Sequence, residues 1–223
     1  MENHGAKISV YLIPGQGADE RLFSKLTLDE RFKMKHIKYS TPVKHESMSG
    51  FAKRLAKQID QTKPFILIGT SLGGMLATEM AFFLKPEQII LISSAKKRSE
   101  LPFRYRFQHY IPVYKIVPPQ LVKLGAKIFQ PLVEPDRNKE KVIFKAMLNA
   151  KDPKFLSRTI RLIVNWNRTE HVENIIHIHG NKDSTIPIKN VKFDYSIEGG
   201  SHMMTLTRAN EISSIIQSIL KPF

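Results

Sequence analysis

Residues 64–74 read Pro-Phe-Ile-Leu-Ile-Gly-Thr-Ser-Leu-Gly-Gly, and this stretch decides the fold. A short, unbroken apolar run predicts a strand that is buried on both faces, as in parallel sheets. The run ends in the pattern Gly-x-Ser-x-Gly, and apolar residues at helical spacing follow it. A strand, a sharp turn and a helix in this order place Ser71 at the tip of the turn, with its hydroxyl exposed. Gly69 and Gly73 leave the room that so tight a turn requires.

The five-residue pattern is not specific by itself, because a glycine-rich turn between a strand and a helix can carry a serine without any chemistry. The surrounding chain adds weight, since strands and helices alternate around it. A helix is predicted after Ser49, and the last residues of the chain predict another at the same periodicity. Further strands are predicted at residues 7–13, 32–40, 87–93, 173–179 and 192–197. This alternation favours a parallel sheet covered by helices.

The alternation stops between residues 96 and 170, where no strand is predicted. Several prolines divide the first half of this region into short helical pieces, and Asp152-Pro153 is a typical helix start near its end. We therefore predict a helical cap or lid at residues 96–170. It interrupts a core that residues 1–95 and 171–223 form.

The composition is ordinary for a soluble globular protein, with 42% hydrophobic and 25% charged residues in a chain of 223. No apolar run approaches the roughly 18 residues that a membrane span requires. The absence of cysteine excludes disulfides, thiolate metal sites and a cysteine nucleophile. The first residues lack the basic start and apolar core of a signal peptide, so we expect a cytoplasmic protein.

The net charge of +15 is concentrated in the predicted cap. Residues 96–170 contain 17 Lys and Arg against 6 Asp and Glu, whereas the rest of the chain contains 18 against 14. Cationic and aromatic side chains alternate within residues 101–110. Three interpretations compete: a lid whose aromatics line an acyl pocket, a surface for anionic lipid or an anionic substrate such as a coenzyme A thioester, and a nucleic-acid surface. No recognisable nucleic-acid-binding motif accompanies the charge, so we expect no nucleic-acid partner.

Asp183 and His202 each follow a predicted strand, as Ser71 does. The carboxyl ends of parallel strands lie along one edge of a sheet, so we expect these side chains to meet there. A serine hydroxyl is a poor nucleophile until a base removes its proton, and a histidine suits that task near neutral pH. An aspartate would orient the imidazole and stabilise its cation.

Each member of this set has a competing interpretation. Asp183 could serve only as a turn residue, with Glu173, Asp152 or Asp194 as the acid instead. His202 could be an ordinary loop histidine. His177 and His179 have the spacing of a metal-binding pair on a strand, but no further ligand group lies near them in the sequence, so core or edge histidines are favoured and no metal is expected.

Four segments resemble the α/β-hydrolase family: residues 14–17 (Pro-Gly-Gln-Gly), 69–73 (Gly-Thr-Ser-Leu-Gly), 179–183 (His-Gly-Asn-Lys-Asp) and 199–202 (Gly-Gly-Ser-His). The order serine, acid, histidine is also that of the family. The likeness covers nearly the whole chain. It implies an α/β fold with a mostly parallel sheet of about six strands, helices on both faces and a helical cap. Many members have His-Gly where this chain has Pro14-Gly15, and the leading antiparallel strands common in the family are not predicted here.

The resemblance implies a serine hydrolase that cleaves a carboxylic ester or thioester through an acyl-enzyme intermediate, without a cofactor. Ser71, Asp183 and His202 would be catalytic. The backbone N–H groups of Leu72 and Gln16, with Gly17 in second place, would form the oxyanion hole. The substrate would be a small molecule with a hydrophobic acyl group or an anionic group, and peripheral contact with lipid is compatible with the basic cap.

Two alternatives come from other functional classes. The first is a small-ligand-binding protein that keeps this fold and turns over slowly or not at all. The second is a nucleotide-binding α/β domain that uses the glycine loop at residues 14–17. A dinucleotide fingerprint requires a third glycine where this chain has Glu20, which argues against the second alternative.

Overall fold

The structure is a computed structural model that describes residues 7–133 and 139–223, without the side chains of residues 129–133. The described residues form one sheet of six strands in the order β2-β1-β3-β4-β5-β6. Every neighbouring pair is parallel, which confirms the predicted fold class. The strands are β1 (Ile8–Ile13), β2 (Phe32–His36), β3 (Phe65–Thr70), β4 (Gln88–Ile92), β5 (Ile175–Gly180) and β6 (Tyr195–Ile197).

The helices of the described residues connect these strands and cover the sheet. They are α1 (Met48–Ala56), α2 (Leu72–Met80), α3 (Phe103–Phe107), α4 (Pro119–Val133), α5 (Lys141–Asn149), α6 (Pro153–Val164), α7 (Met204–Thr207) and α8 (Ala209–Leu220). The helix predicted to begin after Ser49, with Ser49 as its cap, in fact begins two residues earlier, at Met48. Its cap is Ser47, whose hydroxyl accepts the Gly50 N–H at 3.0 Å, so the prediction of Ser49 as the cap was wrong.

Apolar side chains alternate between the two faces of the central strands. In β1, Tyr11 and Ile13 pack on the face covered by α1 and α2. Val10 and Leu12 point to the opposite face, which α8 covers. Because successive strand residues point to opposite sides, a strand buried on both faces must be apolar at every position. This is the reason that β3 reads as an unbroken apolar run, and it confirms helices on both faces.

The helices α3 to α6 lie between β4 and β5 in the chain. Leu162 and Ile163 at the end of α6 join the core on the α1 and α2 face. Earlier in α6, Phe155 and Leu156 pack with Leu148 of α5 in a separate small cluster. The division into a core and a cap stays a prediction, and residues 1–6 and 134–138 of those ranges lie outside the described residues. None of the described helices combines the length and apolar character that crossing a bilayer requires.

Candidate active site

Ser71 occupies a strained turn between β3 and α2. Its backbone has φ 54° and ψ −120°, outside the regions that a non-glycine residue ordinarily adopts. Such a conformation costs on the order of 1–3 kcal/mol and persists only where the surroundings hold it. Here the Ser71 N–H donates to the Ile92 carbonyl at 3.1 Å, and the Ser94 hydroxyl donates to the Ser71 carbonyl at 2.6 Å. Both contacts come from the end of the neighbouring strand β4.

The glycines around Ser71 are required by close backbone packing. A Cβ atom at Gly73 would lie 2.0 Å from the Ile13 carbonyl oxygen, and one at Gly69 would lie 2.4 Å from the Gly73 carbonyl oxygen. The backbone cannot yield by that much, so only glycine fits at these two positions. Gly15 brings the loop after β1 against the serine, because a Cβ there would lie 3.3 Å from the Ser71 Cβ.

The structure brings Ser71, His202 and Asp183 into one hydrogen-bonded chain. The His202 Nε2 lies 2.9 Å from the Ser71 Oγ, and the His202 Nδ1 lies 2.8 Å from the Asp183 Oδ2. An imidazole that donates from Nδ1 to a carboxylate has its Nε2 lone pair free to accept the serine hydroxyl. The three residues follow β3, β5 and β6, and we call their side chains the sheet rim.

The Asp183 carboxylate is held from both sides. Its Oδ1 accepts the backbone N–H groups of Thr185 and Ile186, each at 2.8 Å, while Oδ2 faces His202. The carboxyl group is buried, and these bonds fix its orientation without the help of a cation. A carboxylate held in this way keeps the imidazole in one tautomer.

The rival acids have other partners. The Asp194 carboxylate accepts the backbone N–H of His177 at 2.7 Å and lies 3.6 Å from the Lys96 Nζ. Asp152 caps α6 by accepting the Lys154 N–H at 2.7 Å. Glu173 is exposed in the segment before β5.

Several backbone N–H groups near Ser71 donate to no acceptor among the described residues, and two of them belong to the predicted oxyanion hole. One belongs to Leu72, the first residue of α2, where the helix itself offers no acceptor. The other belongs to Gln16, in the loop after β1. The Gln16 side chain, by contrast, donates to the Leu156 carbonyl and to the Thr159 hydroxyl, both at 2.9 Å. It therefore anchors the loop to α6, a contact that the sequence analysis did not predict.

His177 and His179 form a buried pair beside the sheet rim. The His177 Nε2 and the His179 Nδ1 lie 3.1 Å apart. The outer nitrogens face carbonyl oxygens, with the His177 Nδ1 at 3.1 Å from the Lys192 oxygen and the His179 Nε2 at 2.8 Å from the Ile186 oxygen. Three contacts therefore compete for the two hydrogens that a neutral pair carries.

Burial governs the protonation of this pair. It lowers the pKa of the His177 imidazole well below its ordinary value of 6.5, and the neighbouring His179 and Lys96 act in the same direction. Burial also lowers the pKa of His179, although the Asp183 carboxylate, 3.4 Å from its Nε2, opposes that shift. The described residues contain no group of three or more side chains arranged to hold a metal ion.

A cavity of about 610 Å³ opens onto Ser71 and His202. Its walls come from the loop after β1 and from helices α3 to α6. Arg104 is the one Lys, Arg, Asp or Glu among the described residues that line it. Most of the wall is apolar: Val122, Gly125, Ala126, Phe144, Met147, Leu148, Leu156, Ile160 and Ile163.

One protein-family model matches part of this chain. A family model described as "Uncharacterised protein family (UPF0227)" matches residues 22–117, which is less than half of the chain. Among curated proteins, none matches.

Solved structures match over almost the whole chain. An esterase (EaEST) from Exiguobacterium antarcticum covers 97% of this chain with 93% of its own, at 16% sequence identity and a TM-score of 0.71. An enol-lactonase from Burkholderia xenovorans LB400 covers 99% with 94% of its own, at 14% identity and a TM-score of 0.71. A hydrolase from Pseudomonas aeruginosa PA01 covers 96% with 90% of its own, at 15% identity and a TM-score of 0.72.

At such low sequence identity, these solved structures are evidence for the fold alone. They share a length and an architecture with this chain, from β1 to α8. The sheet of six parallel strands with helices on both faces matches these structures, as the sequence resemblance predicted. The chain has the α/β-hydrolase fold.

Proposed function

We propose that the protein is a serine hydrolase that cleaves a carboxylic ester or thioester through an acyl-enzyme intermediate. The observation that carries the proposal is the continuous hydrogen-bonded chain from the Ser71 Oγ through His202 to Asp183, at the mouth of an apolar cavity. Its order along the sequence and its strained serine match the mechanics of this class of site.

In the first half of the reaction, the Ser71 Oγ attacks the carbonyl carbon of the substrate while the His202 Nε2 takes its proton. The imidazolium that forms is stabilised by Asp183, which already accepts the Nδ1–H in the resting site. The imidazolium then gives its proton to the departing alkoxide or thiolate. The acyl group is left on Ser71.

The tetrahedral intermediate carries a negative oxygen that needs preorganised donors. We assign the backbone N–H groups of Leu72 and Gln16 to this role. The Leu72 N–H also lies at the N-terminus of α2, where the helix dipole favours negative charge. The anchoring of Gln16 to α6 supports its assignment, because a donor fixed before the reaction needs no reorganisation during it.

In the second half, a water molecule takes the place of the departed alcohol or thiol. His202 removes its proton, the hydroxide attacks the acyl carbon, and the proton returns to the Ser71 Oγ as the acid leaves. One histidine therefore serves as base and acid in both halves.

We further propose that the helices of residues 96–170 form a cap over the sheet rim. The cavity that they enclose with the loop after β1 is apolar over most of its wall, which suits a hydrophobic acyl or alcohol group. The single arginine among the described lining residues, Arg104, would attract an anionic group of the substrate.

A fluorophosphonate probe tests the proposal directly, since it reacts with an activated serine and does not require knowledge of the substrate. We expect rapid labelling of the intact protein and none of Ser71→Ala. Ser218→Ala is the matched control, because Ser218 is exposed on α8 and its hydroxyl donates to the Ile215 carbonyl, away from the site. Absence of labelling in a folded sample would favour a binding protein instead.

A further inference from the structure

We propose that residues 103–128, here called the docking segment, bind an anionic lipid surface. The first observation is an unusual exposure of apolar side chains. Nine of the sixteen large hydrophobic side chains that are exposed among the described residues fall within these 26 residues. Tyr110 is 79% exposed and Ile116 is 81% exposed. Exposed apolar side chains in such numbers indicate a surface that binds a protein, a membrane or a ligand.

The second observation is charge. The docking segment contains five Lys and Arg and no Asp or Glu. Arg106 and Lys115 are exposed, and neither pairs with a carboxylate among the described residues. A lipid surface that carries phosphate groups would supply the missing negative charge, and each Lys or Arg near such a surface adds to the attraction.

Aromatic and cationic side chains meet in a groove beside α3. The groove has a volume of about 460 Å³, and the rings of Phe103 and Phe107 lie 5.4 Å apart within it. Arg98 and Arg106 line the same groove. Arg98 is held there by carbonyl oxygens, with its Nη1 2.9 Å from that of Val164. Aromatic rings beside guanidinium groups suit the boundary between lipid headgroups and acyl chains.

Helix α4 contributes one side to the catalytic cavity and another side to the docking segment. Val122, Gly125 and Ala126 on one side of the helix line the catalytic cavity. Leu121, Leu124 and Ile128 recur at helical spacing on another side and are all about half exposed. Helix α3 is divided in the same way, since Arg104 and Tyr105 line the cavity. A surface that engages the exposed sides therefore lies against the walls of the cavity.

Other occupants fit less well. In a symmetric dimer formed through the docking segment, two surfaces of the same positive sign would face each other, which opposes association. A nucleic acid would satisfy the charge but not the exposed aliphatic side chains, because its surface offers phosphates and stackable bases. A bilayer with anionic headgroups satisfies both features.

Co-sedimentation with lipid vesicles tests the proposal, using the intact chain with Ser71→Ala so that no turnover takes place. We expect binding to vesicles of phosphatidylglycerol and phosphatidylcholine, weak binding to phosphatidylcholine alone, and a loss of affinity at high salt. Ile116→Ser should weaken binding by about tenfold, as expected for a lost aliphatic contact. Arg106→Gln and Lys115→Gln should each weaken it by about fivefold.

Matched controls lie elsewhere on the surface. Val142→Ser removes an apolar side chain that is equally exposed, at 81%, and Lys33→Gln and Lys189→Gln remove exposed cations. These changes should alter affinity by less than twofold.

The proposal is overturned if no vesicle binds, or if the controls weaken binding as much as the docking-segment variants do. It is also overturned if light scattering shows a dimer that Ile116→Ser dissociates, which would identify a second copy as the occupant. Because Ser71→Ala is used throughout, none of these vesicle-binding and light-scattering results depends on whether the protein is a hydrolase.

Discussion

The side chains of the sheet rim and those of the docking segment differ in burial and in how many of their polar groups have partners within the protein. At the rim, Asp183 and His202 are buried, and they are oriented by hydrogen bonds to each other and to the backbone N–H groups of Thr185 and Ile186. In the docking segment, Tyr110 and Ile116 are largely exposed, and the cations form no ion pair with a carboxylate of the described residues. Catalysis needs groups that are oriented and desolvated before the substrate arrives. Binding to a surface gains free energy from groups that are still unsatisfied before contact.

The largest effect should follow from removing the proposed nucleophile or the proposed base at the rim. Ser71→Ala or His202→Ala should lower kcat by roughly 10⁶, because these groups act as a unit when chemistry limits the rate. The measurement is hydrolysis of a short-chain p-nitrophenyl ester, with folding checked by circular dichroism. Activity of Ser71→Ala within tenfold of the parent would show that another residue is the nucleophile.

The next largest effect should come from the proposed acid, Asp183. Asp183→Asn should lower kcat by about 10⁴, because the amide favours the wrong imidazole tautomer. Asp194→Asn is a matched control one strand away, for which we expect a change of less than tenfold in the same ester assay. If the two variants behaved in the reverse order, Asp194 would be the acid.

A change in α4 tests whether the cavity selects the acyl group. A side chain at Gly125 would meet nothing within 4 Å, so Gly125→Leu should fold and fill part of the cavity. The ratio of kcat/KM for octanoate over butyrate esters should fall by about tenfold, in line with the effect of a few methylene groups in an apolar pocket. Lys127→Leu, an exposed change on the same helix, should leave this ratio unchanged.

The smallest effect concerns pH and stability. The pKa of His177 in the folded protein lies well below 6.5, so below pH 6.5 the unfolded chain binds a proton that the folded protein does not. The free energy of unfolding should therefore fall as pH drops below 6.5, by at most about 1.4 kcal/mol at pH 5.5 from this residue. Urea denaturation at pH 7.5 and pH 5.5 measures the difference.

His177→Gln should remove this contribution, so its stability should change less between the two pH values than that of the parent protein. His36→Gln, at the exposed edge strand, is the control and should leave the pH dependence unchanged. An unaltered pH dependence in His177→Gln would mean that the buried histidine pair is protonated in the folded protein. The docking segment should respond to salt rather than to pH.

Much of the fold could be predicted because local patterns specify it. The unbroken apolar run at β3 and the alternation of strands and helices determined a parallel sheet, and the structure confirms six strands. The strand predicted at residues 32–40 corresponds to β2, which spans only Phe32–His36 and lies at an edge of the sheet. The strand predicted at residues 192–197 is shorter than expected, since β6 spans only Tyr195–Ile197. Strand ends depend on pairing with a neighbour, which a local pattern does not report. The cytoplasmic location stays a prediction.

The sequence by itself predicted that Ser71, Asp183 and His202 meet at the sheet rim, because the carboxyl ends of parallel strands lie along one edge of a sheet. Only the tertiary structure decided the contacts between distant segments. Among these are the anchoring of Gln16 to Thr159 and the position of His179 beside Asp183. Glu79 likewise accepts the indole N–H of Trp166 at 2.8 Å, across 87 residues of sequence. Such contacts, the shape of the cavity and the exposure of the docking segment all depend on how complete elements pack. Packing is a property of surfaces far apart along the chain, and no short pattern of residues encodes it.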